Sequence, residues 1–198
     1  MENQKLITAI FFGRSGAGKG TQTALLLERL KREGAGTPVF HFEAGEHFRA
    51  FVKGGSYSSV LSKSLMDTGK LQPAFFTIVF WGSEFIKGLN GNEHVVMDGA
   101  PRQLVDAEAM VAAFEFYGRP KPAVIYLDVG RPVARERLLA RGRADDTPDG
   151  IEQRFDWFDQ EMASTVEFLR TDPRVNFLNI PGEGSIEDIH EDIIARLW

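Results

Sequence analysis

Residues 13–19 read Gly-Arg-Ser-Gly-Ala-Gly-Lys and lie between an apolar run and a helical pattern. The run Leu6–Phe12 is nearly all apolar, as a central parallel strand is. From Lys19 to Arg32 the apolar positions recur at helical spacing. A strand that passes through G-x-x-x-x-G-K into a helix is the context of a phosphate-binding loop. Its glycines let backbone N–H groups turn inward around phosphate oxygens, and the helix N-terminus adds partial positive charge. Lys19 then reaches the β- and γ-phosphates. Gly13, Ser15, Gly16, Ala17, Gly18, Lys19, Gly20 and Thr21 are therefore candidate ATP ligands. Gly20 stands where the general motif has Ser or Thr, so that hydroxyl ligand for Mg²⁺ is missing.

The rest of the chain alternates short apolar runs with longer helical patterns. Expected strands are Leu6–Phe12, Pro38–Phe42, His94–Met97, Ala123–Asp128 and Val175–Asn179. Expected helices are Lys19–Arg32, Glu46–Lys53, Ser59–Thr68, Pro73–Leu89, Leu104–Phe116, Pro132–Ala140, Gly150–Arg170 and Ile186–Leu197. Strands separated by helices predict a single α/β domain of the P-loop NTPase type, a parallel five-stranded sheet with helices on both faces. Two segments with the Gly or Pro content of mobile connections, Lys53–Tyr57 and Arg141–Gly150, read as insertions and as hinges. Phe75, Phe76, Phe80, Trp81 and Phe85 recur at helical spacing and read as core. His41, His47, His94 and His190 lack metal-ligand spacing. The N-terminal apolar run is too short to span a bilayer and lacks a signal-peptide cleavage pattern.

Composition removes several function classes. The 198 residues include no cysteine, which excludes thiol catalysis and Cys-based zinc and fits a reducing, cytoplasmic setting. The net charge of −5 argues against nucleic-acid polymers as partners. It does not argue against a small polyphosphate, because the charge is unevenly spread. Arg131–Arg143 carries five arginines and one acid, whereas residues 145–198 carry four arginines and fourteen acids. A local basic segment decides the ligand, and the global sign bears on solubility.

Six landmarks in order give the chain a family likeness. They are Gly13–Gln22 (GRSGAGKGTQ), His41–Arg49 (HFEAGEHFR), Gly69-Lys70-Leu71, Asp98-Gly99-Ala100-Pro101-Arg102, Arg137–Thr147 (RLLARGRADDT) and Arg154. Together they resemble the adenylate kinases and related nucleoside-monophosphate kinases, in a short-lid form. The resemblance covers the whole chain. It implies transfer of the γ-phosphoryl group of Mg-ATP to a nucleoside monophosphate, with AMP as the default acceptor, by a monomer without zinc. It also implies an acceptor-binding insertion at 43–72 and a lid at 141–150.

The likeness assigns roles that suit each side chain. Phosphoryl transfer asks for in-line positioning and for neutralisation of spreading charge, tasks that the permanently charged guanidinium fork performs well. By resemblance Arg49 and Arg102 grip the acceptor phosphate, with Ala44, Lys70, Leu71, Gln72 and Gly99 around the acceptor. Arg143 and Arg154 clamp the transferring group. Arg137 lies on the donor adenine and Arg141, one helical turn later, touches donor phosphates. Gly184 offers a carbonyl to the adenine. Asp98, at a strand C-terminus, orders waters around Mg²⁺. Asp145 and Asp146 hold the lid arginines, or form a solvated turn.

The acceptor pocket departs from the family. Glu43-Ala44-Gly45-Glu46 replaces Ser-Thr-Gly-Asp and is closer to the UMP/CMP kinases. Ala100 stands where the family has Phe or Tyr, and Asp106 where AMP kinases carry a base-reading Gln. An ionised carboxylate only accepts hydrogen bonds, so Asp106 cannot copy a carboxamide's pairing with adenine but could accept from guanine N–H or a cytosine amino group, which leaves the base open. The alternatives are thus a UMP/CMP or GMP kinase, or a nucleotide-binding protein with weak or lost transfer activity.

Overall fold

A computed structural model describes residues 6–33, 36–119, 121–143 and 145–198. Five strands form one parallel sheet: β1 (Thr8–Phe12), β2 (Val39–Glu43), β3 (His94–Asp98), β4 (Ala123–Asp128) and β5 (Asn176–Pro181), in the order β2-β3-β1-β4-β5. Eight helices connect them: α1 (Lys19–Glu33), α2 (Ala44–Phe51), α3 (Tyr57–Asp67), α4 (Ala74–Gly88), α5 (Leu104–Phe116), α6 (Arg131–Arg141), α7 (Pro148–Thr171) and α8 (Ile186–Leu197). The first five residues and Ala144 of the family landmark lie outside the described residues.

The period-2 alternation of β1 divides the interior. Ala9 and Phe11 join one core with Leu26 and Leu30 of α1, Ala134 and Leu138 of α6, and Ile189 and Ile193 of α8. Ile10 and Phe12 join a second core with Trp81 and Phe85 of α4, Met110 and Phe114 of α5, and Phe158 of α7. Both faces of the strand are therefore dry, which is why it carries no polar alternation. In parallel ladders, Phe11 opposes Asp98 of β3 and Ile125 of β4. The carboxyl ends of β1, β2 and β3 thus lie side by side, where open α/β sheets place their ligand crevice.

Local signals set the helix boundaries near the cleft. Thr147 caps α7 by accepting from Gly150 N at 3.1 Å, and Pro148 opens the helix where its missing N–H costs nothing. Helix α7 therefore starts before the expected Gly150. Helix α6 runs through Arg141 and ends at Gly142, whose left-handed conformation (φ 64°, ψ 37°) suits a residue without Cβ. The aromatic set of α4 needs one correction. Phe76, Trp81 and Phe85 are buried, but Phe75 is 58% exposed and stacks on Phe76 at 4.2 Å between centroids. The helix buries one stripe, and Phe75 lies off it.

Candidate functional site

One cleft of about 860 Å³ opens at the carboxyl ends of the strands. Gly13, Ser15, Gly16, Ala17, Gly18, Lys19, Gly20 and Thr21 line its floor. The loop packs so tightly that a Cβ on Gly16 would lie 2.4 Å from the Ala134 carbonyl oxygen, at a φ of +83°. Only glycine fits that approach. Lys19 Nζ donates to the carbonyls of Gly13 at 2.8 Å and Arg14 at 2.9 Å, so the loop holds its own cation. Burial lowers the Lys19 ammonium to about 8; Asp98 opposes that shift, while Arg102 and Arg141 reinforce it. The lysine is poised to gain charge stabilisation from an anion.

The lid side is organised around one carboxylate. Asp146, with a fully buried side chain, accepts from Arg141 Nε at 2.9 Å, Arg141 Nη2 at 2.8 Å, Arg154 Nη2 at 2.8 Å and Arg143 N at 3.1 Å. Burial alone pushes its carboxyl up, but the bonds from Arg141, Arg154 and the Arg143 N–H outweigh it and hold the group near about 2. Asp145 is half exposed; its side chain meets Arg154 Nη1 at 3.4 Å, and its carbonyl accepts from Arg154 Nη2 at 3.0 Å. Arg141, Arg143 and Arg154 all line the cleft. Burial depresses the Arg143 guanidinium, and the neighbouring Arg141 and Arg49 depress it further. Such crowded like charges favour an anion between them. Arg137 Nη1 donates to the Gly182 carbonyl at 2.9 Å, and Gly184 stands nearby on the same wall.

The opposite wall carries Arg49, Lys70, Leu71, Gln72, Gly99 and Arg102. Arg102 is braced on three sides. Its Nε donates to the Gly99 carbonyl at 2.8 Å, its guanidinium lies 5.3 Å over the Phe48 ring, and its N–H donates to Asp106 Oδ2 at 2.8 Å. The Gln72 carboxamide is turned inward: its Nε2 donates to the Ser62 carbonyl and its Oε1 accepts from Ser62 Oγ, both at 2.9 Å. The Gln72 amide is therefore turned from the cleft, and its backbone carbonyl accepts from Gln103 Nε2 at 3.0 Å. Asp98 is 7% exposed at the end of β3; burial raises its carboxyl, whereas Lys19 and Arg102 pull it down. A Cβ on Gly20 would come 3.6 Å from Asp98 Oδ2, so glycine keeps open the space beside that carboxylate.

Two expected acceptor residues sit elsewhere. Asp106 is wholly buried behind the wall, with Oδ1 accepting from Trp81 Nε1 and Oδ2 from Arg102 N, both at 2.8 Å. With both oxygens engaged, it is placed to orient Arg102 and not to meet a base. Ala44 is likewise fully buried, in the core beside Met97. The sequence reading also missed residues that line the cleft. Phe48, Met66, Trp157, Phe158 and Met162 all do so, and Glu43, noted in the sequence only as a departure from the family pattern, joins them. Trp157 Nε1 donates to the Gly69 carbonyl at 3.2 Å, joining α7 to the segment that follows α3. Arg14 turns away from the cleft, meeting Asp159 at 3.1 Å and the Phe158 ring at 5.2 Å, and so ties the loop to α7. The pairing of Gly13–Lys19 with an arginine-rich segment was the available signal; partners 88 residues apart leave none.

Comparison with known proteins decides the family. A family model described as adenylate kinase matches residues 11–173. The chain is 34% identical to an adenylate kinase of Corynebacterium diphtheriae, over 95% of this chain and 97% of that relative. The chain belongs to the adenylate kinase family. It is also 32% identical to an adenylate kinase of Corynebacterium glutamicum and 29% identical to one of Stenotrophomonas maltophilia, with the same coverage. As a member of that family it is an ATP-dependent phosphotransferase of the nucleoside-monophosphate kinase class. Among the described residues no helix is long and apolar enough to cross a membrane, and no group of three or more His, Asp or Glu is arranged to hold a metal ion.

Proposed function

We propose that the protein moves the γ-phosphoryl group of ATP to AMP, reversibly, giving two molecules of ADP. The carrying observation is a single cleft in which arginines from both walls face one phosphate loop. On this reading the loop Gly13–Thr21 holds the ATP phosphates, with Lys19 on the transferring group. Arg137 and Gly184 flank the donor adenine, and Arg141 meets donor phosphates. Arg49 and Arg102 hold the AMP phosphate, with Gly99, Lys70, Leu71 and Gln72 around the acceptor. Arg143 and Arg154 close over the transferring group, and Asp145 and Asp146 fix their direction. The two phosphates are thereby brought in line, which supplies much of the rate because little covalent chemistry is asked of the protein.

The residues fit a magnesium ion. Asp98 is a nearly buried carboxylate, and Gly20 leaves free space beside it for a hydrated cation. Mg²⁺ bound there through water would neutralise part of the ATP phosphate charge. Segments 43–72 and 141–150 act as the acceptor-binding and lid insertions, closing to exclude water that would otherwise hydrolyse ATP. The absence of cysteine fits a cytoplasmic setting, the acidic net charge fits small nucleotides and not nucleic-acid polymers as ligands, and the family likeness implies a monomer.

One observation keeps the base under test. Asp106, which occupies the position of the expected base reader, is locked to Trp81 and Arg102. A coupled ADP-release assay with ATP against AMP, CMP, UMP, GMP and dAMP decides the acceptor. AMP is expected to turn over fastest. Faster turnover with CMP, UMP or GMP would reassign the base, and no turnover with any acceptor would leave a nucleotide-binding protein.

A further inference from the structure

Glu43 ends β2 on the rung that pairs it with Asp98 of β3, and both side chains reach the cleft. Glu43 Oε1 accepts from Arg49 Nη2 at 2.8 Å. Neither partner is sealed in the protein, since the side chains of Arg49 and Glu43 are 42% and 32% exposed. Gly45 makes room for the pair: a Cβ there would come 2.8 Å from Arg49 Nη1 and 3.3 Å from Glu43 Oε1. The carboxylate also acts beyond Arg49. Burial raises the Asp98 carboxyl, and Glu43 pushes it the same way while Lys19 opposes both. Glu43 further offsets the mutual repulsion that Arg143 feels from Arg141 and Arg49. A negative charge thus stands among the cations proposed to receive the acceptor.

We propose that Glu43 is the counter-ion that Arg49 gives up when the acceptor's phosphate arrives, so that Glu43 sets acceptor affinity. The inference rests on the reading of Arg49 as an acceptor-phosphate ligand. A partly exposed ion pair contributes little, so it breaks readily. A phosphate offers the guanidinium fork two charge-assisted bonds in place of the one carboxylate oxygen engaged here. A bare nucleoside carries no charge with which to displace Glu43. Glu43 is a positioning residue on this account, acting through Arg49 and not through the transferred group.

Steady-state kinetics on the full chain test the proposal with Glu43→Gln, Arg49→Met and the double variant, using AMP and ATP. Glu43→Gln is expected to lower the acceptor KM about fivefold, a larger change than in kcat or in the ATP KM. In the Arg49→Met background the same substitution is expected to lower the acceptor KM far less. An unchanged or raised acceptor KM in Glu43→Gln, alongside a raised KM in Arg49→Met, overturns the counter-ion role and leaves Arg49 as ligand. An equal gain with and without Arg49 also overturns it, because general repulsion would then explain the effect. An acceptor KM unmoved by Arg49→Met contradicts the underlying assignment of Arg49 itself.

Discussion

The two walls of the cleft hold their arginines by different means. On the lid wall Asp146 binds Arg141, Arg154 and the Arg143 backbone through four hydrogen bonds, and its own side chain is sealed from water. On the acceptor wall Arg102 is braced by Phe48, Gly99 and Asp106, but Arg49 leans on the partly exposed Glu43. A fixed network aims charge at one place and costs no reorganisation during transfer. An exchangeable pair suits a surface that must release and recapture substrate each cycle. On the proposed roles, the wall of Arg141, Arg143 and Arg154 directs charge and the wall of Arg49 trades it.

Variants can break that contrast in order of effect. Lys19→Met removes the cation that the loop's own carbonyls hold and is expected to cut kcat by about 10²–10³-fold in the coupled assay. Arg143→Ala is expected to lower kcat by about 10²-fold while ATP affinity by calorimetry changes far less, since its contact tightens in the transition state. Equal loss of both would remove Arg143 from the clamp.

Asp146→Ala frees two arginine side chains and is expected to cost about 2 kcal/mol in thermal or denaturant unfolding, together with a loss of kcat. The wild-type carboxyl lies near about 2 in the fold against an ordinary 3.8, so its contribution is complete above about pH 4 and lost as pH falls through about 2. An Asp146→Ala variant with the same acid unfolding profile as wild type would contradict the network.

Asp106→Asn keeps an acceptor for Trp81 but places an amide against the Arg102 N–H. It is expected to destabilise by about 1–2 kcal/mol and to leave the order of preference among AMP, CMP, UMP and GMP unchanged. A reordered preference would return Asp106 to the pocket. The smallest effect is protonic. Burial holds the Lys19 ammonium at about 8, and bound phosphate favours its charged form. ATP binding is therefore expected to weaken above pH 8, by up to about tenfold per unit, and to take up protons there. Lys19→Met should flatten that profile.

The sequence was legible where chemistry is local. The loop 13–19 carries its strand, glycines and lysine in one stretch, and the spacing of Arg137 and Arg141 placed both on one face of α6. Elements were recovered to within a few residues because each strand is a short apolar run and each long helix a periodic one. Long-range packing was not legible. The fate of Asp106 depends on Trp81, 25 residues away on another helix, and nothing near position 106 announces it. Trp157 reaches Gly69 across 88 residues, and Phe75 is exposed although its neighbour Phe76 is buried. Glu43 was visible as a departure from the family pattern, but its pairing with Arg49 needed the space that Gly45 of α2 leaves beside both side chains.

Phosphorus NMR of the full chain with Mg-ATP and AMP tests the central claim most directly. The account predicts that the ATP and AMP resonances decline together as ADP grows at two molecules per turnover, without inorganic phosphate, and that the mixture relaxes to the same composition from ADP alone. Inorganic phosphate released at a rate independent of AMP, or no ADP formed by folded protein, would contradict it.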